Sequence, residues 1–492
     1  MKNSTIRICA ILMAVFLLVG AIFYFAAGDS LYFTPSSSKP VSGKGNVGEL
    51  LEGMSLKQSF TCQTDTLESV GLLLATMDRT NTDVLKIELT DEAGTLLFSE
   101  EVNTADPSRV QNNAQLVITP RESIENAKGK TYTLTVTSLH GVSGNAVTFY
   151  YGNTVNAGRA NVAVDVSEKD ALYVNGSIKT DEANLFCSLC LTVAGNNLHL
   201  FGSIYWYVYA GAALLFGLLL VYLAYCHLKE KKNAILEILY SFKRYRFLTK
   251  QLVARDFKTK YKRSVLGVLW SFLNPLLTMS IQYVVFSTIF KSDIPNFSIY
   301  LLSGIICFNF FNEATNMCLM SIVGNATLIN KVYVPKYIYP FSRTLSSSIN
   351  LLLSLVPLLI MLLITRTPIT LAILLLPFVL LMLFLFSYGV GLILAALMVF
   401  FRDTQFLWGI VSMLLMYLTP VFYPESIIPD RFMSVYRLNP MYQILRFIRS
   451  ILVDGKSPEP MSYLYCILLC GVPLLIGILV FRKSQNKFIF NL

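Results

Sequence analysis

Residues 252–275 read L-V-A-R-D-F-K-T-K-Y-K-R-S-V-L-G-V-L-W-S-F-L-N-P. Arg255, Lys258, Lys260, Lys262 and Arg263 crowd one basic amphipathic run, which passes without a linker into an apolar helix expected to begin near Val265. Positive charge abutting a hydrophobic span marks the cytoplasmic face of a bilayer. The stretch therefore predicts a membrane bundle downstream, and makes what lies upstream an addition to it.

Composition supports this. Of 492 residues 54% are hydrophobic and 14% charged, against roughly 25% charged in soluble domains. The net charge of +10 conceals a division: residues 29–203 hold 12 Lys and Arg against 20 Asp and Glu, whereas the rest of the chain holds 28 against 10. An acidic, water-soluble domain is thus set into a basic membrane protein. The basic residues flank apolar spans, which argues against nucleic acid as a partner.

Working toward the N-terminus, residues 204–225 predict a return transmembrane helix with Tyr205, Trp206, Tyr207 and Tyr209 in the outer aromatic belt and Lys229, Lys231 and Lys232 inside. Residues 226–264 form a cytoplasmic amphipathic region, with Ile235, Leu236, Leu239 and Phe242 at helical spacing. Residues 1–27 are an N-terminal anchor. The apolar run Ile8–Ala27 is longer than a signal-peptide core, although Ala26-Ala27-Gly28 leaves cleavage open.

Residues 28–203 change texture. A linker-like segment from Pro35 to Gly48 precedes short alternating runs at Leu56–Thr61, Val70–Ala75, Val84–Thr90, Thr95–Ser99, Gln115–Ile118, Thr131–Thr137 and Val147–Tyr151. Asp91–Gly94 is a hairpin turn, and the spacing predicts an extracytoplasmic β-sandwich of jelly-roll type. Leu172–Leu198 either completes the sandwich or packs on the membrane. Cys187 and Cys190 form a C-x-x-C without a second ligand pair, read as an incidental pair or a local disulfide. His140, His199 and His227 are scattered and suggest no metal site.

Toward the C-terminus, residues 265–492 predict a core of six spans, near Val265–Phe290, Tyr300–Val323, Leu345–Ile364, Leu371–Phe400, Phe406–Tyr423 and Met461–Phe481. Alternation puts both termini and Asn325–Arg343 in the cytoplasm. The outer loop Pro424–Pro460 carries Arg431, Arg437, Arg446 and Arg449 against the positive-inside rule. It is read as short helices dipping into the outer leaflet, their arginines capping helix ends or meeting lipid phosphates.

From about Tyr245 onward the residues resemble the permease subunits of ATP-binding-cassette exporters for O-antigen, capsular polysaccharide or teichoic acid. Four features in order carry the resemblance: Arg255-Asp256 with Lys258, Tyr261, Leu266-Gly267, Trp270 and Pro275; Asn325, Leu328-Ile329, Lys331, Val334-Pro335 and Pro340; Phe401-Arg402-Asp403 with Thr419-Pro420; and Asn439-Pro440 with Arg449. The resemblance implies a homodimer in the bacterial cytoplasmic membrane, a lipid-linked polysaccharide as substrate, and separate ATPase subunits that hold ATP and Mg. The chain has no G-x-x-x-x-G-K-[S/T], so it is expected to be a non-catalytic subunit with no cofactor of its own.

By the same resemblance Asn325, Leu328, Ile329, Lys331, Val332, Pro335 and Pro340 form the helix that receives the ATPase stroke, with Leu328, Ile329 and Val332 docking in its groove. Arg255, Asp256, Lys258, Tyr261 and Trp270 belong to the gate helix, Arg255 and Lys258 facing a lipid or substrate phosphate. Tyr283, Phe286 and Phe290 share a helix face and suit stacking on sugars, as they suit ordinary packing. Glu313, alone among acidic residues deep in the core spans, is expected to face the path or a dimer interface. A second reading is a membrane-bound glycosyltransferase or ligase for lipid-linked sugars. It would need juxtamembrane carboxylates or a D-x-D, and the core loops offer none.

Overall fold

The computed structural model describes the chain apart from residues 1, 39–42, 158–161, 166–167, 230–233, 263–264, 289–295, 332–333, 368, 426–427 and 492. It divides into two units, Tyr32–Gly202 and the remainder, Met1–Leu31 with Ser203–Leu492.

In Tyr32–Gly202, alternation builds two large antiparallel sheets, beside a two-stranded ribbon of Thr154–Ala157 and Val162–Asp165. One runs in the order Ser177–Ile178, Leu172–Val174, Ser55–Thr61, Thr131–Ser138, Val84–Thr90, Leu96–Asn103. The other runs Phe33–Ser37, Leu191–Leu198, Ser69–Ala75, Thr148–Gly152, Ser188–Leu189, with Ala114–Ile118 also on Ser69–Ala75. Every second residue of Thr131–Ser138 (Tyr132, Leu134, Val136) and of Val84–Thr90 (Leu85, Ile87, Leu89) points inward. They join Val70, Leu72, Leu74 and Phe149 of the other sheet in one apolar core, which is what holds two sheets together. Gly94, at φ +79°, closes the hairpin, and Asp91 Oδ1 accepts the N–H groups of Ala93 and Thr95. Leu172–Leu198 contributes strands to both sheets and so completes this unit. Cys187 and Cys190 are free thiols, fully buried. Burial pushes both thiols up, Cys190 to about 11.

The other unit is helical. Helix α1 (Lys2–Ala27) pairs with α2 (Phe201–Leu228), and α3 (Ala234–Arg244) leads to α4 (Arg246–Tyr261). The core follows: α5 (Trp270–Thr288), α6 (Phe297–Leu319), the single turn-and-a-half α7 (Ala326–Lys331), α8 (Ile338–Ile364), α9 (Leu376–Phe400), α10 (Thr404–Leu418), α11 (Asp430–Arg437), α12 (Pro440–Leu452), α13 (Pro460–Ser484) and α14 (Phe488–Asn491). Tyr205 and Tyr209, the expected belt residues, pack onto α1. Tyr205 donates to Gly20 O (2.7 Å) and Tyr209 to Leu17 O (2.9 Å), and the missing Cβ of Gly20 leaves room for the Tyr209 ring.

Three sequence boundaries are corrected. The basic run does not pass straight into a span: α4 ends at Tyr261, Gly267 takes φ +53°, and α5 begins at Trp270. Helix α8 begins at Ile338, not near Leu345, because Pro340 fits a first helical turn and Arg343 is paired within it. The fifth expected core span is a helix of 15 residues, since Thr419 is extended ahead of Pro420. Among the described residues seven helices, not the eight expected, are long and apolar enough to cross a membrane. At the α9–α13 crossing the backbones nearly touch: a Cβ on Gly477 would stand 2.3 Å from Gly389 O.

Candidate functional site

The apolar spacing of α4 puts Leu252, Val253 and Asp256 on its buried face, against α8, and leaves Lys250, Arg255, Lys258 and Lys260 exposed. Asp256 is the one charge on the inward face, and the core answers it. Arg343 of α8 reaches its Oδ1 at 2.9 Å and Arg255 at 3.1 Å. The second oxygen, Oδ2, is buried without a partner among the described residues. Arg255 also donates to Asn325 Oδ1 (3.3 Å), and buried Asn325 donates to Ser321 O (2.7 Å). One carboxylate thus ties α4, α8 and the turn leading into α7.

Beside this hub runs a second polar chain. Lys260 Nζ lies 2.8 Å from Glu313 Oε1, which also accepts Asn350 Nδ2 at 2.7 Å. Tyr261 donates to Asn350 Oδ1 at 3.0 Å and its hydroxyl meets that of Ser271 at the start of α5. Together these residues edge an open groove of about 600 Å³ that includes Arg255, Lys260, Glu313, Met317, Arg343 and Asn350. An adjoining groove is bordered by Arg255, Lys258, Tyr261 and Lys262. Cations with aromatic neighbours suit a phosphate-bearing ligand.

Helix α7 stands on the same frame. Ile329 is buried in a cluster with Leu252 of α4, Val334, Ile338 and Tyr339, Leu392 of α9, Phe481 of α13 and Phe488 of α14, and Leu328 packs against it. Ile329 is thus committed to the chain's own core and Leu328 is half-buried, while Thr327, Asn330 and Lys331 are exposed. Val332 lies outside the described residues. Pro335 is half-buried and Pro340 is buried in the first turn of α8, its carbonyl accepting Thr344 Oγ1 at 3.1 Å. Lys336 donates to Gln485 O, fixing the loop to the tail, and desolvation holds its ammonium below the usual lysine range.

The remaining quoted motifs meet in a second cluster. Asn439 caps α12 by accepting Met441 N–H at 3.0 Å and donates to Thr419 Oγ1 at 3.0 Å. Arg449, 6% exposed, donates to Pro420 O (2.7 Å) and Val421 O (2.9 Å) and lies 3.4 Å over the Tyr300 ring. Of the two roles expected for the loop arginines, capping a helix end or meeting lipid phosphate, these contacts are of the first kind, since the carbonyls lie just past α10. Backbone carbonyls freed where Pro420 interrupts helical geometry satisfy it.

Of the expected path residues, Tyr283 is exposed with its ring 6.0 Å from that of Phe297. The Phe286 side chain and Phe290 lie outside the described residues. Trp270 is exposed at the start of α5. Sequence reasoning missed Arg343, Asn350 and Ser271. For Arg343 a signal existed: a lone arginine entering a span needs a partner, and Asp256 is the available carboxylate.

Residues 247–453 match the ABC-2 type transporter family. The match begins in α4 and ends just after α12. The chain is 29% identical over 237 residues to an O-antigen export system permease protein of Klebsiella pneumoniae, covering 48% of this chain and 90% of that one. It is 29% identical over 246 residues to the protein of that name in Myxococcus xanthus, covering 50% and 95%. It is 25% identical over 245 residues to a polysialic acid transport protein of Escherichia coli, covering 48% and 93%. Helices α1–α3 and the sheet unit lie outside the matched family region.

Proposed function

We propose, from the premise that the membrane core is that of an ABC-2 type polysaccharide-exporter permease, that this chain carries a lipid-linked polysaccharide across the bacterial cytoplasmic membrane as a homodimer driven by separate ATPase subunits. The observation that carries this reading is the Asp256 hub. It joins α4, whose exposed face is cationic, to the exposed turn α7 through Arg255 and Asn325, and both helices share one apolar cluster. A push on Thr327, Asn330 and Lys331 would move α4 and α8 as a body, because packed cores shift as units and do not deform continuously. ATP and Mg are assigned to the partner, and this chain is a transport subunit without catalysis of its own.

In this reading the termini and α3–α4 are cytoplasmic and Tyr32–Gly202 is extracytoplasmic, a jelly-roll-like sandwich that binds the emerging glycan. The uninterrupted apolar lengths of α1 and α2 support that placement, and the hydroxyl row Ser59, Thr133 and Thr90 on one sheet supports a polar ligand. Lipid-linked substrate is supported by the cationic groove at the membrane face of α4. The test is a strain lacking this chain. It should accumulate lipid-linked glycan on the cytoplasmic side and lose surface glycan; unchanged surface glycan would rule the proposal out.

A further inference from the structure

Among the described residues helix α6 is the most enclosed candidate span: 78% of its most apolar window is buried, against at most 33% for any other. The two exposed residues within it are both asparagines, Asn309 and Asn316. Half-exposed Asn312 and Glu313 lie between them, so the four fall at i, i+3, i+4 and i+7 on one face. This stripe is internally organised. Asn316 donates to both the backbone and the side-chain oxygen of Asn312 at 2.8 Å, and Ser412 of α10 donates to Asn312 Oδ1 at 2.8 Å. Glu313 holds Lys260 and Asn350 and, with Met317, borders the cationic groove. The stripe rises about 10 Å along the helix axis and opens into that groove at its Leu319 end.

Neighbouring helices expose apolar faces by contrast. Helix α5 exposes Leu277, Ile281 and Val284, and α10 exposes Phe406, Leu407, Ile410 and Leu414. An amide face would be costly against hydrocarbon, and polar side chains on a span ordinarily face a water-filled cavity or a partner. Close packing of a second copy in a membrane favours small residues instead. We infer that the stripe Asn309, Asn312, Glu313 and Asn316 is the wall of the glycan's path, and that Asn309, Asn312 and Asn316 engage sugar hydroxyls through their side-chain amides, the Glu313 carboxylate being held by Lys260 and Asn350. An amide both donates and accepts, matching a hydroxyl, and carries no charge to trap a polymer. Several weak equivalent contacts permit passage where one strong contact would arrest it. This inference rests on the export reading. It also reassigns the wall from the aromatic face expected at Tyr283 to an adjoining helix.

The test uses the full chain with its ATPase in cells. Single cysteines replace Asn309, Asn316 or, on the enclosed side of the same helix, Phe310; the native Cys307 and Cys318 of α6 are buried. A small sulfonated methanethiosulfonate should label N309C and N316C and spare F310C. Labelling should fall in cells making the glycan relative to cells blocked in its synthesis. Unlabelled N309C and N316C at normal membrane abundance would overturn the inference, as would an N309C disulfide between copies in place of labelling. Equal labelling with and without glycan would overturn the assignment of the ligand. As a second variant, Asn309→Leu with Asn316→Leu should reduce surface glycan severalfold at normal abundance, and the Gln pair should restore it. These readouts are separable from the export reading, which fails only if deleting the chain leaves surface glycan unchanged.

Discussion

Replacing Asp256 by asparagine removes one negative charge from a site where two guanidinium groups converge. The Asp256 side chain is 4% exposed, that of Arg343 21% and that of Arg255 48%. The three therefore do not contribute equally. Arg255 is nearly half in solvent, so its share is that of a surface pair, about 0–1 kcal/mol. Arg343 is mostly enclosed at 2.9 Å, and two unit charges about 4 Å apart at an effective dielectric of about 20 attract by about 4 kcal/mol before desolvation. Breaking a buried pair by removing one partner costs about 3–5 kcal/mol. Asparagine retains an acceptor for Arg343, which places Asp256→Asn near the bottom of that range, at about 3 kcal/mol. For a helical unit of about 320 residues, at about 2.1 cal/mol/K per residue, that corresponds to a drop of about 4–5 °C in Tm. The informative measurement is a double-mutant cycle with Arg343→Met in detergent-solubilised protein, followed by thermal unfolding. The second substitution should recover much of the loss, because it removes the charge left unpaired, giving a coupling of about 2 kcal/mol. Strictly additive shifts, or a single substitution that leaves Tm unchanged, would refute the hub as the link between α4 and α8.

Other perturbations separate fold from transport. Gly477→Val places a side chain against Gly389 O, where even a Cβ would stand 2.3 Å away; overpacking of this kind costs about 1–3 kcal/mol and should lower Tm and membrane abundance. Arg449→Met strips the cation from the Pro420 and Val421 carbonyls, at a cost of about 3 kcal/mol for breaking a buried charged network, and should abolish export while α4 accessibility to protease stays unchanged. Lys331→Glu on the exposed end of α7 should leave Tm within about 1 °C, as surface changes do, yet lower ATP hydrolysis by the assembled transporter; Ile329→Asp should instead destabilise the fold, because Ile329 is buried. At pH 8 the thiol of Cys190, raised to about 11 by burial, is protonated and shielded, so iodoacetamide should modify Cys187 and Cys190 only after denaturation.

Much of the architecture was legible because it rests on periodicity. The alternation in Thr131–Ser138 and Val84–Thr90 is local, and burial of one face follows from it directly. The apolar runs of α6, α9 and α13 are equally plain. What the sequence concealed depends on long-range pairing. Nothing near Asp256 shows that its partner lies at Arg343 or that Asn325 joins it, since those contacts are made by helices distant along the chain. The basic run around Arg255 suggested a lipid or substrate phosphate for Arg255 and Lys258; Arg255 is engaged by the neighbouring Asp256 and Lys260 by Glu313, and Lys258 is open to solvent. The contacts of Tyr205 and Tyr209 with α1 were hidden for the same reason: the facing glycine, Gly20, lies far back in the chain. Helix α7 falls within the stretch expected at Asn325–Pro340, and the burial of Ile329 beneath it shows only once the cluster made by distant helices is seen.

We propose that this chain moves a lipid-linked glycan outward. The most direct measurement is time-resolved: inverted membrane vesicles containing the chain and its ATPase are loaded with radiolabelled lipid-linked glycan on their outer leaflet, ATP is added, and protection of the glycan from an external glycosidase is followed. The account expects protection that requires ATP and is lost in the Asp256→Asn variant. Protection that proceeds equally without ATP, or without this chain, would contradict it.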